Sequence, residues 1–142
     1  MIISQEKKSV AVIIWFNGKI MLSQRKGKNF KGKWAVVGGK VEKNEYILRA
    51  AQREILEECG LFFLNTEIFL LDSYVDNQWK CFIFEAFRPN YLFMDVKNNE
   101  PKKHSAWTLF SISDALKLDL MPALREYLEG KLLTINQESS KI

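Results

Sequence analysis

The sequence predicts an α+β or α/β sandwich in one domain, and three observations carry that prediction. β-rich runs and helical patterns come in blocks, strands then helix, strands then helix, rather than as alternating βα units. Asn17-Gly18 separates two β-rich runs and is a hairpin signal, because a type I′ turn needs positive φ at both central residues. The stretch Glu45 to Cys59 has helical apolar spacing and is followed by Gly60, suited to a left-handed C-terminal cap.

The elements follow in order. Val10 to Phe16 and Ile20 to Gln24 form the hairpin strands, and Lys33 to Val37 a short strand leading to Gly38-Gly39. In the helix after them, Ile47, Leu48, Ala51, Ile55 and Leu56 make a stripe that faces a core. Phe62 to Tyr74 and Lys80 to Phe87 are long apolar and aromatic runs, paired around a turn at Asp76-Asn77, and Pro89 ends the second. Asn98, Asn99 and Pro101 mark a loop, and Ala106 to Phe110 is the last strand. Ser113 is placed to cap a short helix over Asp114 to Lys117. Pro122 suits the first turn of a final helix, Ala123 to Glu129, which Gly130 is placed to end. The expected domain is residues 1–133, with a short, loose polar tail at 134–142.

Composition narrows the class. A chain of 142 residues with 47% hydrophobic and 27% charged residues suits one soluble domain with a sizeable core. No apolar run approaches a membrane span, and MIISQEKKSV lacks a signal layout, so a cytoplasmic protein without membrane partners is expected. Cys59 and Cys81 have no metal-type spacing and are expected to be buried or half-buried free thiols. The net charge of +4 favours anionic partners without showing nucleic-acid binding. Lys26, Lys28, Lys31 and Lys33 crowd one loop, either simply solvated or able to draw in a polyphosphate.

The chemistry is concentrated in the helix. Glu45, Arg49, Arg53 and Glu57 form an i, i+4 ladder of the kind that stabilises an exposed helix by about 0.2–0.5 kcal/mol per pair. That account fails for Glu54, Glu57 and Glu58, which share one face at i, i+3 and i+4. Each like-charge contact there costs roughly 1 kcal/mol in water and about 3–4 kcal/mol at an effective dielectric near 20. Two of the three also occupy the last turn, where the helix dipole disfavours anions. A bound hard cation explains the arrangement, because Mg²⁺ or Mn²⁺ takes carboxylate oxygens and keeps sites for water and phosphate.

From Gly39 to Leu61 the spacing is G-x5-E-x7-R-E-U-x-E-E-x-G-U, with U aliphatic. With each of its seven fixed residues at about 7% by chance, a full match arises in roughly one in a million chains of this length, and the two aliphatic positions make it rarer still. The segment resembles the signature box of the Nudix hydrolases, with every position filled. The likeness extends over about Val10 to Leu128, through MLSQRKGKNFKGKWAVVGGKVE upstream and NNEPKKHSAWTLF and MPALREYL downstream. The downstream segments look like those of MutT-like nucleoside-triphosphate diphosphatases. The resemblance implies a mixed sheet held between helices. One departure is Val37, which stands where the family commonly has proline, and a slightly looser approach to the metal is expected.

The resemblance also implies roles. Glu54, Glu57 and Glu58, with the backbone carbonyl of Gly38, would form the cage for Mg²⁺, with Mn²⁺ as a substitute. Arg53 would hold the carboxylates in place, with Glu45 orienting Arg53 or closing the start of the helix. Arg25 and Lys40 are phosphate candidates, Gly39 lies against the substrate, and Asp119 is near where relatives contact the base. Glu100 matches a carboxylate from outside the box that serves as base or extra ligand, and Lys102 stands where some relatives have a second acid. His104, the one histidine, is expected at the surface of its loop.

Glu54, Arg53, Glu57 and Glu100 are thus the expected catalytic group for phosphoanhydride hydrolysis. Marks of other branches are missing: for example, no proline lies between Gly60 and Arg88, where enzymes acting on ADP-ribose tend to carry one. The expected reaction is conversion of a (d)NTP to a (d)NMP and pyrophosphate. The alternatives are a nucleotide-sugar, ADP-ribose or dinucleoside-polyphosphate hydrolase and, in another class, a non-catalytic module binding RNA or nucleotide. Trp34, Trp79, Phe84 and Trp107 are candidates for stacking on a base. The protein is expected as a monomer or homodimer.

Overall fold

The computed structural model describes residues 7–139. Residues 1–6, part of the N-terminal segment read for a signal, and residues 140–142 of the expected tail lie outside them. The strands are β1 (Lys7–Phe16), β2 (Lys19–Gln24), β3 (Trp34–Ala35), β4 (Val37–Lys40), β5 (Ile68–Asp76), β6 (Trp79–Arg88) and β7 (Thr108–Phe110). The helices are α1 (Ile47–Cys59), α2 (Ile112–Ala115) and α3 (Pro122–Ser139). The seven strands form one mixed sheet, in which β1 and β6 run parallel from Lys7↔Trp79 to Phe16↔Arg88.

The hairpin forms as the turn chemistry requires, with φ of 49° at Asn17 and 81° at Gly18. Beyond it β1 and β2 separate. They pair only at Trp15↔Ile20 and Phe16↔Lys19, after which β1 pairs with β4 and β2 with β3. The segment Trp34 to Lys40 therefore enters the opening between the two hairpin strands. Gly38 and Gly39 lie inside β4, opposite Ala11 and Val10, rather than after a strand ending at Val37. Val37 is 1% exposed and pairs with Val12, so the looseness expected from the missing proline is replaced by a buried strand residue.

Strand alternation feeds two cores. Val10, Val12, Ile14 and Phe16 of β1 meet Ala51, Ile55 and Cys59 of α1 on one face. Ile13 and Trp15, with Ile20 and Leu22 of β2, meet Ala115, Leu124 and Leu128 from α2 and α3 on the other. The result is the expected sheet between helices. Full burial of a side chain such as Ile55 contributes about 1.5–3 kcal/mol.

Several boundaries differ from expectation. α1 begins at Ile47, leaving Glu45 in the preceding turn. A 3-10 turn, Asn65–Glu67, delays β5 to Ile68. Ser111, rather than Ser113, caps α2 by accepting the Asp114 N–H at 3.1 Å, which shifts that helix toward the N-terminus. α3 passes through Gly130 to Ser139, so residues 134–139 of the expected tail are helical. Lys131, one residue past that glycine, lies 3.6 Å from buried Glu85 and over the Trp15 ring, contacts that offset the glycine's propensity cost of about 1 kcal/mol. Among the described residues no helix is long and apolar enough to cross a membrane.

Candidate active site

Arg53 organises the carboxylate face. Its Nε and Nη2 donate to both oxygens of Glu45 at 2.8 and 3.0 Å, and its Nη1 donates to Glu54 at 2.9 Å and Glu57 at 3.2 Å. Nη2 also donates to the carbonyl of Lys40 at 2.9 Å, joining helix to strand β4. Only a planar, multiply donating guanidinium serves so many acceptors at once. Because Glu45 precedes the helix, it reaches past the Arg49 rung of the expected ladder to Arg53. The Glu42 N–H donates to the same carboxylate at 3.0 Å. Arg53 holds the Glu45 carboxyl below the usual range, and Glu45 in turn raises the pKa of Arg53.

The acidic trio is split by depth. Glu57 has a side chain 52% exposed, whereas those of Glu54 and Glu58 are 13% and 12% exposed. Of the three acids on this face, only Glu57 reaches well into solvent. Burial raises the Glu54 carboxyl, and burial pushes Glu58 up to about 8, with the charges of Glu54 and Glu100 adding to it. The Gly38 N–H donates to Glu58 Oε2 at 2.9 Å and works in the opposite direction. A side chain at Gly39 would fall on the Glu54 carboxylate, so only glycine lets that carboxylate lie against β4.

The end of α1 is held by the loop that follows β6. Gly60 adopts φ 75° and donates to the Leu56 carbonyl. Lys97 N–H donates to the Cys59 carbonyl at 3.0 Å, Asn99 N–H to that of Glu58 at 3.2 Å, and Trp107 Nε1 to the same oxygen at 3.3 Å. These donors satisfy carbonyls that a helix end leaves free, and they offset the dipole's penalty on Glu57 and Glu58. The same docking brings Glu100, Lys103 and His104 to the acids of the helix. Lys103 pairs with Glu100 at 2.8 Å, and His104 Nε2 stands 3.9 Å from Glu58 Oε1. Ligand atoms of Glu58, Glu100 and His104 lie within 4.8 Å of one another.

His104 is 5% exposed, against the expectation of a surface histidine. Its ring packs 4.8 Å from that of Trp107, and its main chain bridges to Arg25, which removes it from solvent. Burial lowers its pKa. No periodicity in the sequence marks this residue, because its burial depends on a loop closing over a helix end. Cys59 and Cys81 are buried free thiols, as expected, with Cys59 pushed up to about 12 by burial.

Two cavities meet at this site. One, of 590 Å³, is lined by Arg53, Glu54, Glu58, Glu100, Lys103 and His104. The other, of 660 Å³, is more apolar and lies between the sheet and α3, lined by Phe30, Tyr74, Ile83, Met121, Leu124 and Tyr127. Arg25, Gly38 and Gly39 border both. Lys40 lines the first and its Nζ also sits over the Trp79 ring. Asp119 lines neither, and its carboxylate pairs with Lys33 at 2.8 Å. Arg25 Nε donates to the Asn29 carbonyl, and Lys26 Nζ to that of Pro101, so the basic loop is partly tied down. Of the aromatics proposed for stacking, Phe84 and Trp107 are buried and Trp34 packs edge-on against Phe110. Phe30, Tyr74 and Tyr127 line the apolar cavity instead.

Comparison with known proteins agrees with this geometry. The NUDIX domain family model matches residues 6–130. The chain is 35% identical over 115 residues to the nucleoside triphosphatase NudI of Escherichia coli O81 (strain ED1a), covering 72% of this chain and 78% of that protein. It is 40% identical over 60 residues to the 8-oxo-dGTP diphosphatase of Buchnera aphidicola subsp. Acyrthosiphon pisum (strain APS), covering 39% of this chain and 48% of that relative, so less than half of that relative's length is spanned. The crystal structure of a MutT NUDIX hydrolase from Burkholderia pseudomallei superposes with a TM-score of 0.73 at 29% identity, covering 89% of this chain and 98% of that one. With the box complete from β4 through the end of α1 and the family model spanning nearly all of the chain, this protein belongs to the Nudix hydrolase family.

Proposed function

We propose that the protein hydrolyses a (d)NTP to a (d)NMP and pyrophosphate in a reaction that depends on Mg²⁺. The junction of the two cavities at Arg25, Gly38 and Gly39 carries the reading. A nucleoside triphosphate has an apolar, stackable end and a polyanionic end, and the cavities divide in the same way. The relatives named as a nucleoside triphosphatase and an 8-oxo-dGTP diphosphatase support this substrate class.

The donor set fits a hard divalent cation. Burial raises the pKa values of the Glu54 and Glu58 carboxyls despite Arg53 beside the first and the Gly38 N–H on the second, and a cation would offset that burial penalty. Glu54, Glu57, Glu58 and the Gly38 carbonyl would hold it, and when bound it neutralises charge on the phosphates. Arg53 keeps Glu54 and Glu57 aimed, fixed in turn by Glu45 and the Lys40 carbonyl. Arg25 and Lys40 take phosphate oxygens. Glu100, or Glu54, accepts a proton from the water that attacks phosphorus, as the anhydride P–O bond breaks. The nucleoside lies toward Phe30, Tyr74 and Tyr127.

The test is a hydrolysis screen of purified protein with Mg²⁺ over dNTPs, NTPs, 8-oxo-dGTP, ADP-ribose, nucleotide sugars and dinucleoside polyphosphates, with products separated by chromatography. Monophosphate plus pyrophosphate from a triphosphate is the expected result. Turnover only of ADP-ribose or a dinucleotide overturns the substrate. No turnover with Mg²⁺ or Mn²⁺, together with salt-sensitive RNA affinity, points to the binding-module alternative.

A further inference from the structure

We propose that Glu58, Glu100 and His104 form a mixed nitrogen–oxygen site for a divalent transition metal, with His104 Nε2 as its nitrogen ligand. This rests on the reading above that the carboxylate face holds a divalent cation. It adds a ligand from outside the signature box and a preference for metal type.

The argument starts from the imidazole. His104 Nδ1 stands 3.3 Å from the Ser105 carbonyl, which only accepts, so Nδ1 carries the hydrogen of the neutral ring. Nε2 therefore presents a lone pair. It is buried and has no hydrogen-bond partner among the described residues, while the residue as a whole is 5% exposed. It faces Glu58 Oε1 at 3.9 Å, another lone-pair bearer. An orphaned acceptor facing carboxylates costs about 1–3 kcal/mol unless a cation or proton lies between them.

The three ligand atoms are spaced for coordination. They lie within 4.8 Å of one another, and two metal–ligand bonds of about 2.0–2.2 Å span at most about 4.4 Å. A contraction of less than about an ångström closes the shell. The ring is already oriented by the Ser105 carbonyl behind it and by Trp107 beside it, the arrangement that commonly fixes metal-binding histidines. Glu100 pairs with Lys103, but a carboxylate has enough lone pairs to keep that partner and take a metal. Carboxylate oxygens suit Mg²⁺ and Mn²⁺ alike, and an added imidazole nitrogen shifts the preference toward transition metals.

The chain contains one histidine, which makes the test clean. Tag-free protein is loaded with Mn²⁺ and studied by electron spin echo envelope modulation. The expected spectrum carries imidazole ¹⁴N modulation that changes when the protein is grown with ¹⁵N-histidine, a comparison needing no mutant. His104→Gln is expected to remove the modulation and weaken Mn²⁺ binding by about ten- to a hundredfold, the range seen for groups one shell further from a metal. Mg²⁺ affinity should stay close to wild type. Bound Mn²⁺ whose spectrum ignores the label overturns the proposal, as does absence of Mn²⁺ binding. Mg²⁺-dependent triphosphate hydrolysis, assayed on the same preparation, reports separately on the catalytic reading.

Discussion

Gly39 and Glu54 are in such close contact that a methyl group on the first would overlap the carboxylate of the second. A strand residue and a helix residue thus share one space, and the glycine's lack of a side chain decides where the acid points. Gly39→Ala should push Glu54 off its position while the core, which lies under α1 elsewhere, stays packed. We expect kcat to fall by about a hundredfold, the loss typical of displacing a catalytic group by about an ångström. Turnover assays and thermal unfolding should show loss of rate with a folded protein.

Arg53→Lys should fail despite conserving charge. An ammonium cannot serve Glu45, Glu54, Glu57 and the Lys40 carbonyl together. A stability loss of about 1–3 kcal/mol is expected from hydrogen bonds to charged groups, with a larger relative loss in kcat. Denaturant unfolding and turnover measured on the same variant check both parts.

The metal-free protein should lose stability as pH rises from the ordinary carboxylate range to neutrality and beyond. Glu58 titrates near 8 when folded and at roughly 4.3 when unfolded, so the folded state binds more protons in between. Its contribution is fully present below the unfolded value and is lost as pH climbs through the folded one. Glu54, raised by the same cause, adds to the slope. Melting temperatures between pH 5 and 9 in a chelator should decline, Glu58→Gln should flatten the decline, and Mg²⁺ should counter it.

Glu57→Gln should leave the fold intact, since Glu57 is the exposed member of the trio. Turnover should drop by orders of magnitude. A variant that unfolds instead, seen by circular dichroism, would count against the cage assignment.

Glu85 should matter for stability and not for chemistry. It is 7% exposed, and its Oε2 accepts from Trp15 Nε1 at 2.8 Å and Tyr127 O–H at 2.7 Å, joining β1, β6 and α3. Glu85→Ala leaves two donors without their acceptor and should cost about 3 kcal/mol or more. Chemical denaturation measures it.

Much of this was legible in the chain. The hairpin at Asn17-Gly18, the helix ending at Gly60 and the concentration of acids at Glu54, Glu57 and Glu58 are local signals. They depend on turn geometry, on apolar spacing and on charges no isolated helix would gather. The box spacing added the family and with it the sheet between helices. Local signals were weaker where two acceptable choices competed, as with Ser111 over Ser113 at the cap of α2. They failed at Gly130, where Lys131 of α3 is anchored to Glu85 of β6 and Trp15 of β1.

Sequence alone therefore determined the family and which helix presents the acidic residues Glu54, Glu57 and Glu58, because those facts follow from spacing along one stretch of chain. Only the tertiary structure decided their environments. The loop from Lys97 to Trp107 closes over the end of α1 through hydrogen bonds to its carbonyls. That closure buries His104, sets Glu100 beside Glu58 and leaves Glu57 in solvent. Depth and neighbourhood depend on contacts between residues far apart in the chain, so no pattern within either segment encodes them.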